Sequence, residues 1–215
     1  MLLVPTSAQY SQHCKNPPSL VSMLSANRHS VPPNCQFEVD DFDDDWNYSK
    51  TFDLIHGRAM VTCFKEPLRV IQSAFNALSP GGYLELQDMV IPFRCIDDSL
   101  KGTKIEEWQN KTMEASVKMG MSWKVSQFYS QYFEEAGFVD VVEHHFQWPM
   151  NQWPKGADMK RLGAYFQEDM TRAVENVSMA ALTRGAGMTK EEVEVLTAGA
   201  RKDLADKRIH AYIPV

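Results

Sequence analysis

Pro80-Gly81-Gly82-Tyr83-Leu84-Glu85-Leu86-Gln87-Asp88 is the stretch that decides the fold. Proline and two glycines stop whatever precedes them. Tyr83, Leu84 and Leu86 then carry a short apolar run broken by Glu85 and Gln87, which reads as a strand entered from a tight turn. Upstream, Leu68, Ile71, Phe75 and Leu78 fall at helical spacing, so the pattern predicts a helix over 66–78. Phe52-Asp53-Leu54-Ile55-His56 is a second short strand. Strand, helix, turn and strand within roughly forty residues make the β-α-β unit of a parallel sheet, with a right-handed crossover. Gln87, Asp88, His56 and Arg58 then fall at or just past the carboxyl ends of their strands, the edge where open parallel sheets bind ligands.

Residues 1–30 are poorly patterned: Ser, Asn, Gln and Pro dominate, and Leu20 to Leu24 is at most a short strand interrupted by Ser22. Val31-Pro32-Pro33-Asn34 is a rigid connector, because two prolines fix φ and deny helix. A short strand at 37–39 runs into an acidic stretch that ends at Trp46. Beyond the central unit, the periodicity predicts helices over 104–119, 125–136 and 158–181, with Gly137 as a left-handed cap for the second. Alternation around Val139, Val141, His144 and Phe146 predicts a strand from 138 to about 148. Thr189 with Glu192 is a capping box for a last helix. Ile209 to Val215 reads as a final strand, and Pro214 within it suggests an edge or a bulge.

A chain of 215 residues with 44% hydrophobic content can bury one good core, so one domain is expected. Glu38, Asp40, Asp41, Asp43, Asp44 and Asp45 match the whole net charge of -6, which leaves the remainder balanced and without the basic footprint of a nucleic-acid binder. The four cysteines are widely spaced with no Cys-x-x-Cys, so neither a zinc site nor a disulfide framework is expected, and a reducing compartment fits. No apolar run approaches the roughly 20 residues of a membrane helix. The expectation is an intracellular, cytoplasmic protein, with a nuclear location also compatible.

FDLIHGR at 52–58 and LSPGGYLELQD at 78–88 resemble the second half of the class I S-adenosylmethionine-dependent methyltransferases. With VPPNCQFEVDD at 31–41 and IHAYIPV at 209–215 in that order, the resemblance is to the fungal LaeA-like group found around secondary metabolism. It runs from about Val31 to Val215. It implies an α/β fold: an incomplete Rossmann-like sheet with helices on both faces and helical cap elements near 100–124 and 155–205. It also implies S-adenosyl-L-methionine as cofactor, a small metabolite methylated at oxygen as substrate, and room for a protein partner.

The resemblance places Asp40, Asp41 and Trp46 in the adenine-binding loop, where a carboxylate accepts from the adenine amino group and an indole covers the ring. The residue-level alternative is a solvated acidic loop with Trp46 as a core anchor. His56, Gly57 and Arg58 would lie beside the methionine end of the cofactor; alternatively His56 is a strand-end histidine hydrogen-bonded to backbone and Arg58 a surface charge. His144 and His145, in a strand, would face opposite sides and so could not share one metal, though one could serve as a general base. Trp108, Trp123 and Trp153 lie outside the clearest helical stripes and are candidates for an apolar substrate pocket. Asp43 to Asp45 lacks the Gly-x-Glu frame of a calcium loop, and no metal is expected.

No glycine precedes Gly57, so the glycine-rich turn that holds a cofactor carboxylate is missing. The family's Asp-Leu-Ser at the end of its second strand looks like Met23-Leu24-Ser25 here, and methionine cannot accept the ribose hydroxyls. A truncated, non-catalytic methyltransferase-like protein that acts by binding is therefore the alternative function.

Overall fold

The computed structural model describes residues 41–215 and, as backbone, two short strands before them. In chain order the elements are β1 (Ser19–Ser22), β2 (Cys35–Glu38), β3 (Phe52–Arg58), α1 (Pro67–Ala77), β4 (Leu78–Gln87) and β5 (Arg94–Cys95). They continue with α2 (Lys104–Lys118), a 3-10 turn at Val125–Phe128, α3 (Tyr129–Ala136), β6 (Gln147–Pro149) and α4 (Ala157–Ala180). A π-helical turn at Ala181–Gly185, α5 (Lys190–Ala205) and β7 (Ala211–Pro214) complete the chain. Asp40, the 31–34 connector and most of the 1–30 segment lie outside the described residues. The class is mixed α/β.

The chain packs as two compact units, one of Met1–Asp88 with Gln127–Glu143 and the other of Met89–Ser126 with His144–Val215. In the first unit β1 and β2 pair in parallel, and so do β3 and β4. The β3–α1–β4 crossover is the β-α-β unit read from the sequence. β4 begins at Leu78, opposite Phe52, and the proline–glycine stretch is absorbed as an irregularity before Tyr83 pairs with Leu54. Gly81 sits there at φ 82°, a left-handed conformation that glycine adopts without cost. Pro67 opens α1 at the position where its missing N–H is harmless. The buried stripe of α1 is Val70, Ile71 and Ala74, offset from the one expected, since Leu68 and Phe75 are each 38% exposed. Phe75 instead meets Phe138 edge to face at 5.0 Å, and Gln72 Nε2 donates to the Ala136 carbonyl at 3.4 Å, so α1 and α3 hold each other. Gly137 ends α3 in the left-handed conformation expected of it.

In the second unit β7 is the middle strand of an antiparallel set, β5-β7-β6. The resemblance implied one Rossmann-like sheet; β7 is instead flanked on both edges by β5 and β6 and is not paired with β3 or β4. Pro214 is neither on an edge strand nor in a bulge but at the last position of β7, where a missing N–H interrupts no ladder interior. The strand expected over 138–148 is a second correction, because only Gln147–Pro149 pairs. Asp140 takes a left-handed φ of 54°, and Val139 and Val142 are 83% and 71% exposed, so alternation there has no buried face to serve.

Helices α2, α4 and α5 fill the rest of that unit. Thr103 caps α2 by accepting from Glu106 N, and Asp203 Oδ2 accepts from Lys104 N at 2.5 Å and Ile105 N at 3.0 Å, a carboxylate where the helix dipole favours one. The Thr189–Glu192 capping box is present with both reciprocal bonds. The core joins Ile105, Trp108, Met150, Phe166, Leu182 and Leu204.

Candidate functional site

The carboxyl edge of β3 and β4 is the candidate site. After β3 the chain turns at Ala59, a non-glycine residue at φ 57°, whose N–H donates to the Gln87 carbonyl at 3.0 Å. Such a conformation costs on the order of 1 kcal/mol and persists only when its surroundings hold it. Asp88, immediately past β4, supplies that hold. Its Oδ2 accepts from Met60 N at 2.8 Å and from the Tyr129 hydroxyl at 2.9 Å. Burial, then the charge of Asp88, pushes the Tyr129 phenol well above its ordinary range, so Tyr129 acts here as a fixed donor and not as a base. The sequence marked Asp88 by its position but gave no sign of Tyr129, which lies 41 positions away and fits an ordinary helical stripe.

The segment 56–58 divides between interior and surface. His56 is buried and its Nδ1 lies 3.0 Å from Glu85 Oε2, its cross-strand partner. Gly57 is buried opposite Leu86, and a Cβ there would come within 2.7 Å of Leu86 Cδ2. Close packing thus accounts for the glycine. Only Arg58 is exposed at the strand end.

The acidic run is largely engaged with α1. Asp43 Oδ1 accepts from Lys65 N at 3.1 Å and from Glu66 N at 3.5 Å, just before the helix starts, and Asp45 meets Arg69 at 2.8 Å. Trp46 donates its indole N–H to the Phe42 carbonyl at 3.2 Å, packs on the Met60–Phe64–Val70 cluster and meets Phe42 and Tyr48 edge to face. The core-anchor alternative therefore describes Trp46 as it stands. Asp41 is exposed, accepts from Asp43 N at 3.0 Å and has Lys65 Nζ at 4.0 Å.

The other candidates lie elsewhere. His144 and His145 are exposed and not in a strand, so the opposite-faces argument does not apply to them. Trp108 is in the core of the second unit, and among the described residues its indole N–H has no hydrogen-bond partner. Trp123 donates to Ser116 Oγ at 2.8 Å, and Trp153 to the Ala211 carbonyl at 2.8 Å. Among the described residues no group of three or more His, Cys, Asp or Glu side chains could hold a metal ion, and no helix is long and apolar enough to cross a membrane.

For an adenosyl cofactor, two of the described candidates present polar groups to solvent. Asp41 presents an exposed carboxylate able to accept from an amino group, and Arg58 an exposed cation at the strand edge. Trp46 and His56 have their polar atoms engaged within the protein.

The sequence pattern of a family described as "methyltransferase domain" matches residues 8–144. The chain is 28% identical over 201 residues to the probable methyltransferase tdiE of Emericella nidulans, covering 93% of this chain and 62% of that protein. It is 32% identical over 182 residues to the methyltransferase pytC of Aspergillus terreus, covering 84% and 56% respectively. It is 25% identical over 197 residues to the secondary metabolism regulator LAE1 of Cochliobolus heterostrophus, covering 89% and 64%. The chain thus spans about three fifths of the length of these relatives. A Haemonchus contortus phosphoethanolamine N-methyltransferase 2, solved with S-adenosylhomocysteine, aligns at a TM-score of 0.43 and 15% identity over 84% of this chain and 36% of that one. On the match to more than half of its length, this chain belongs to the methyltransferase domain family.

Proposed function

We propose that the protein is an S-adenosylmethionine-dependent methyltransferase that acts on a small metabolite, at oxygen. Family membership and the named relatives support methyl transfer. The single observation that carries the location is the edge of the β3–α1–β4 unit, where Asp88 fixes the chain after β3 through Met60 and Tyr129 and leaves Arg58 exposed. When bound, the cofactor supplies an electrophilic methyl group, so the chain's own task is alignment and exclusion of water. Asp41 is the residue proposed for the adenine amino group. An intracellular location, cytoplasmic or nuclear, belongs to the same reading, as does a protein partner.

A second reading is favoured by the engagement of Trp46 and His56 in structural contacts and by relatives named as regulators. In it the protein is methyltransferase-like and acts by binding. Calorimetric titration with S-adenosylhomocysteine, with Asp41→Ala as the control, separates the two: any saturable binding that the substitution abolishes supports the first.

A further inference from the structure

The second unit carries an oriented histidine, within the IHAYIPV stretch, to which neither the resemblance nor the candidate edge gives a role. His210, just before β7, is held at two points. Its backbone N–H donates to Ser99 Oγ at 2.8 Å, and its Nδ1 lies 2.6 Å from Asp97 Oδ2. Asp97 is itself pinned: Oδ1 accepts from Ser99 N at 2.9 Å, Ser99 Oγ at 2.5 Å and Cys95 Sγ at 3.2 Å. These bonds, the Ser99 hydroxyl first and His210 next, hold Asp97 well below the usual carboxylate range, so it faces His210 as an anion. An acceptor at Nδ1 places the hydrogen there and leaves the lone pair of the neutral ring on Nε2. Among the described residues none bonds Nε2, and the side chain is 37% exposed.

An aromatic ring stands beside the imidazole. The Trp153 ring lies 5.4 Å from the imidazole at 50°. It is fixed by its indole bond to the Ala211 carbonyl and by Trp153 N donating to Asn151 Oδ1 at 3.0 Å, where Asn151 is fully buried. An outward acceptor next to a held aromatic face selects a flat, apolar compound that carries one hydrogen-bond donor. The Asp97 carboxylate behind the ring disfavours an anion.

We propose that His210 and Trp153 bind an aromatic hydroxyl compound, a phenol or naphthol, with its O–H donated to His210 Nε2 and its ring against Trp153. Asp97 is the positioning residue. The binding is proposed for the second unit by itself, beyond the methyl-transfer reading, and needs no cofactor.

The test is a titration of the whole chain, labelled with 15N-histidine, with 2-naphthol and with 2-methoxynaphthalene, which lacks the donor. The expected result is a saturable shift of the His210 Nε2 resonance by 2-naphthol, assigned by its loss in His210→Phe. 2-Methoxynaphthalene should bind about tenfold more weakly, the worth of one hydrogen bond. His210→Phe, with its fold checked by circular dichroism, should bring 2-naphthol down to the same level. Equal affinity of the two compounds for the wild-type chain, or no shift at His210 Nε2, overturns the proposal and leaves Asp97–His210 as an internal tie. S-adenosylhomocysteine is titrated in parallel. Naphthol binding without it keeps this inference and removes the methyl-transfer reading; the reverse pattern does the opposite.

Discussion

His56 and Glu85 are direct cross-strand partners, and the 3.0 Å contact between Nδ1 and Oε2 ties β3 to β4 by side chains as well as by backbone. His56 is almost fully buried, whereas the Glu85 side chain is 40% exposed and solvent screens it. A double-mutant cycle with His56→Leu and Glu85→Gln should therefore give a coupling of about 0.5–1.5 kcal/mol in urea unfolding. A coupling indistinguishable from zero would mean that the histidine is available for another role.

Trp46→Ala tests whether the indole is an anchor. It packs on Met60, Phe64 and Val70 and is only partly buried, so the loss should be about 1–3 kcal/mol in chemical denaturation. An unchanged midpoint would return Trp46 to the role of a ring kept free for a ligand.

Trp108 and Trp123 make opposite predictions under the same substitution. The Trp108 indole N–H is buried without a partner among the described residues, while that of Trp123 is bonded to Ser116. Trp108→Phe removes an unsatisfied donor and should leave stability within about 1 kcal/mol of the wild type, whereas Trp123→Phe strands Ser116 and should cost about 1–2 kcal/mol. A larger loss at Trp108 than at Trp123 would contradict this.

Asp97 has a pH signature. Its folded value lies below the ordinary 3.8, so the unfolded chain takes up the proton first as pH falls. The contribution is fully present above the ordinary value and is lost as pH drops below it toward the folded value. Thermal midpoints of wild type and Asp97→Asn should differ by a constant amount above about pH 5 and draw closer as pH falls below about 4. A gap that stays constant there as well would show that Asp97 gains nothing from its ionised form.

The β3–α1–β4 unit was legible because each of its signals is local: two apolar runs, a helical period and a proline–glycine stop. The Thr189–Glu192 cap and the Gly137 terminus were legible for the same reason. The strand over 138–148 was misread because alternation reports a half-buried face only where a partner strand exists, and Val139 and Val142 have no such face. The destination of β7 was also hidden, since pairing with β5 and β6 depends on residues more than sixty positions away. At the candidate site, the resemblance placed His56 and Trp46 as ligand contacts. Their partners, Glu85 and the Phe42 carbonyl, were invisible to a reading by family position. The Asp88–Tyr129 bond and the Asp97–His210 pair join residues 41 and 113 positions apart, and no spacing rule reaches that far.

The central proposal is an adenosyl-cofactor site at the β3–β4 edge with Asp41 on its adenine side, to which residues 1–215 bring neither a glycine-rich turn nor, at Met23, a carboxylate for the ribose. A charge-assisted hydrogen bond is worth roughly 1.5–3 kcal/mol, so two absent contacts weaken binding by about two to four powers of ten. From a complete site at roughly 1 μM, that gives a dissociation constant of roughly 0.1–10 mM. Isothermal titration of the purified chain with S-adenosylhomocysteine measures it directly. The account predicts weak, saturable binding in that range, abolished in Asp41→Ala. Binding that Asp41→Ala leaves unchanged would contradict the site, and micromolar or tighter binding would contradict its weakening.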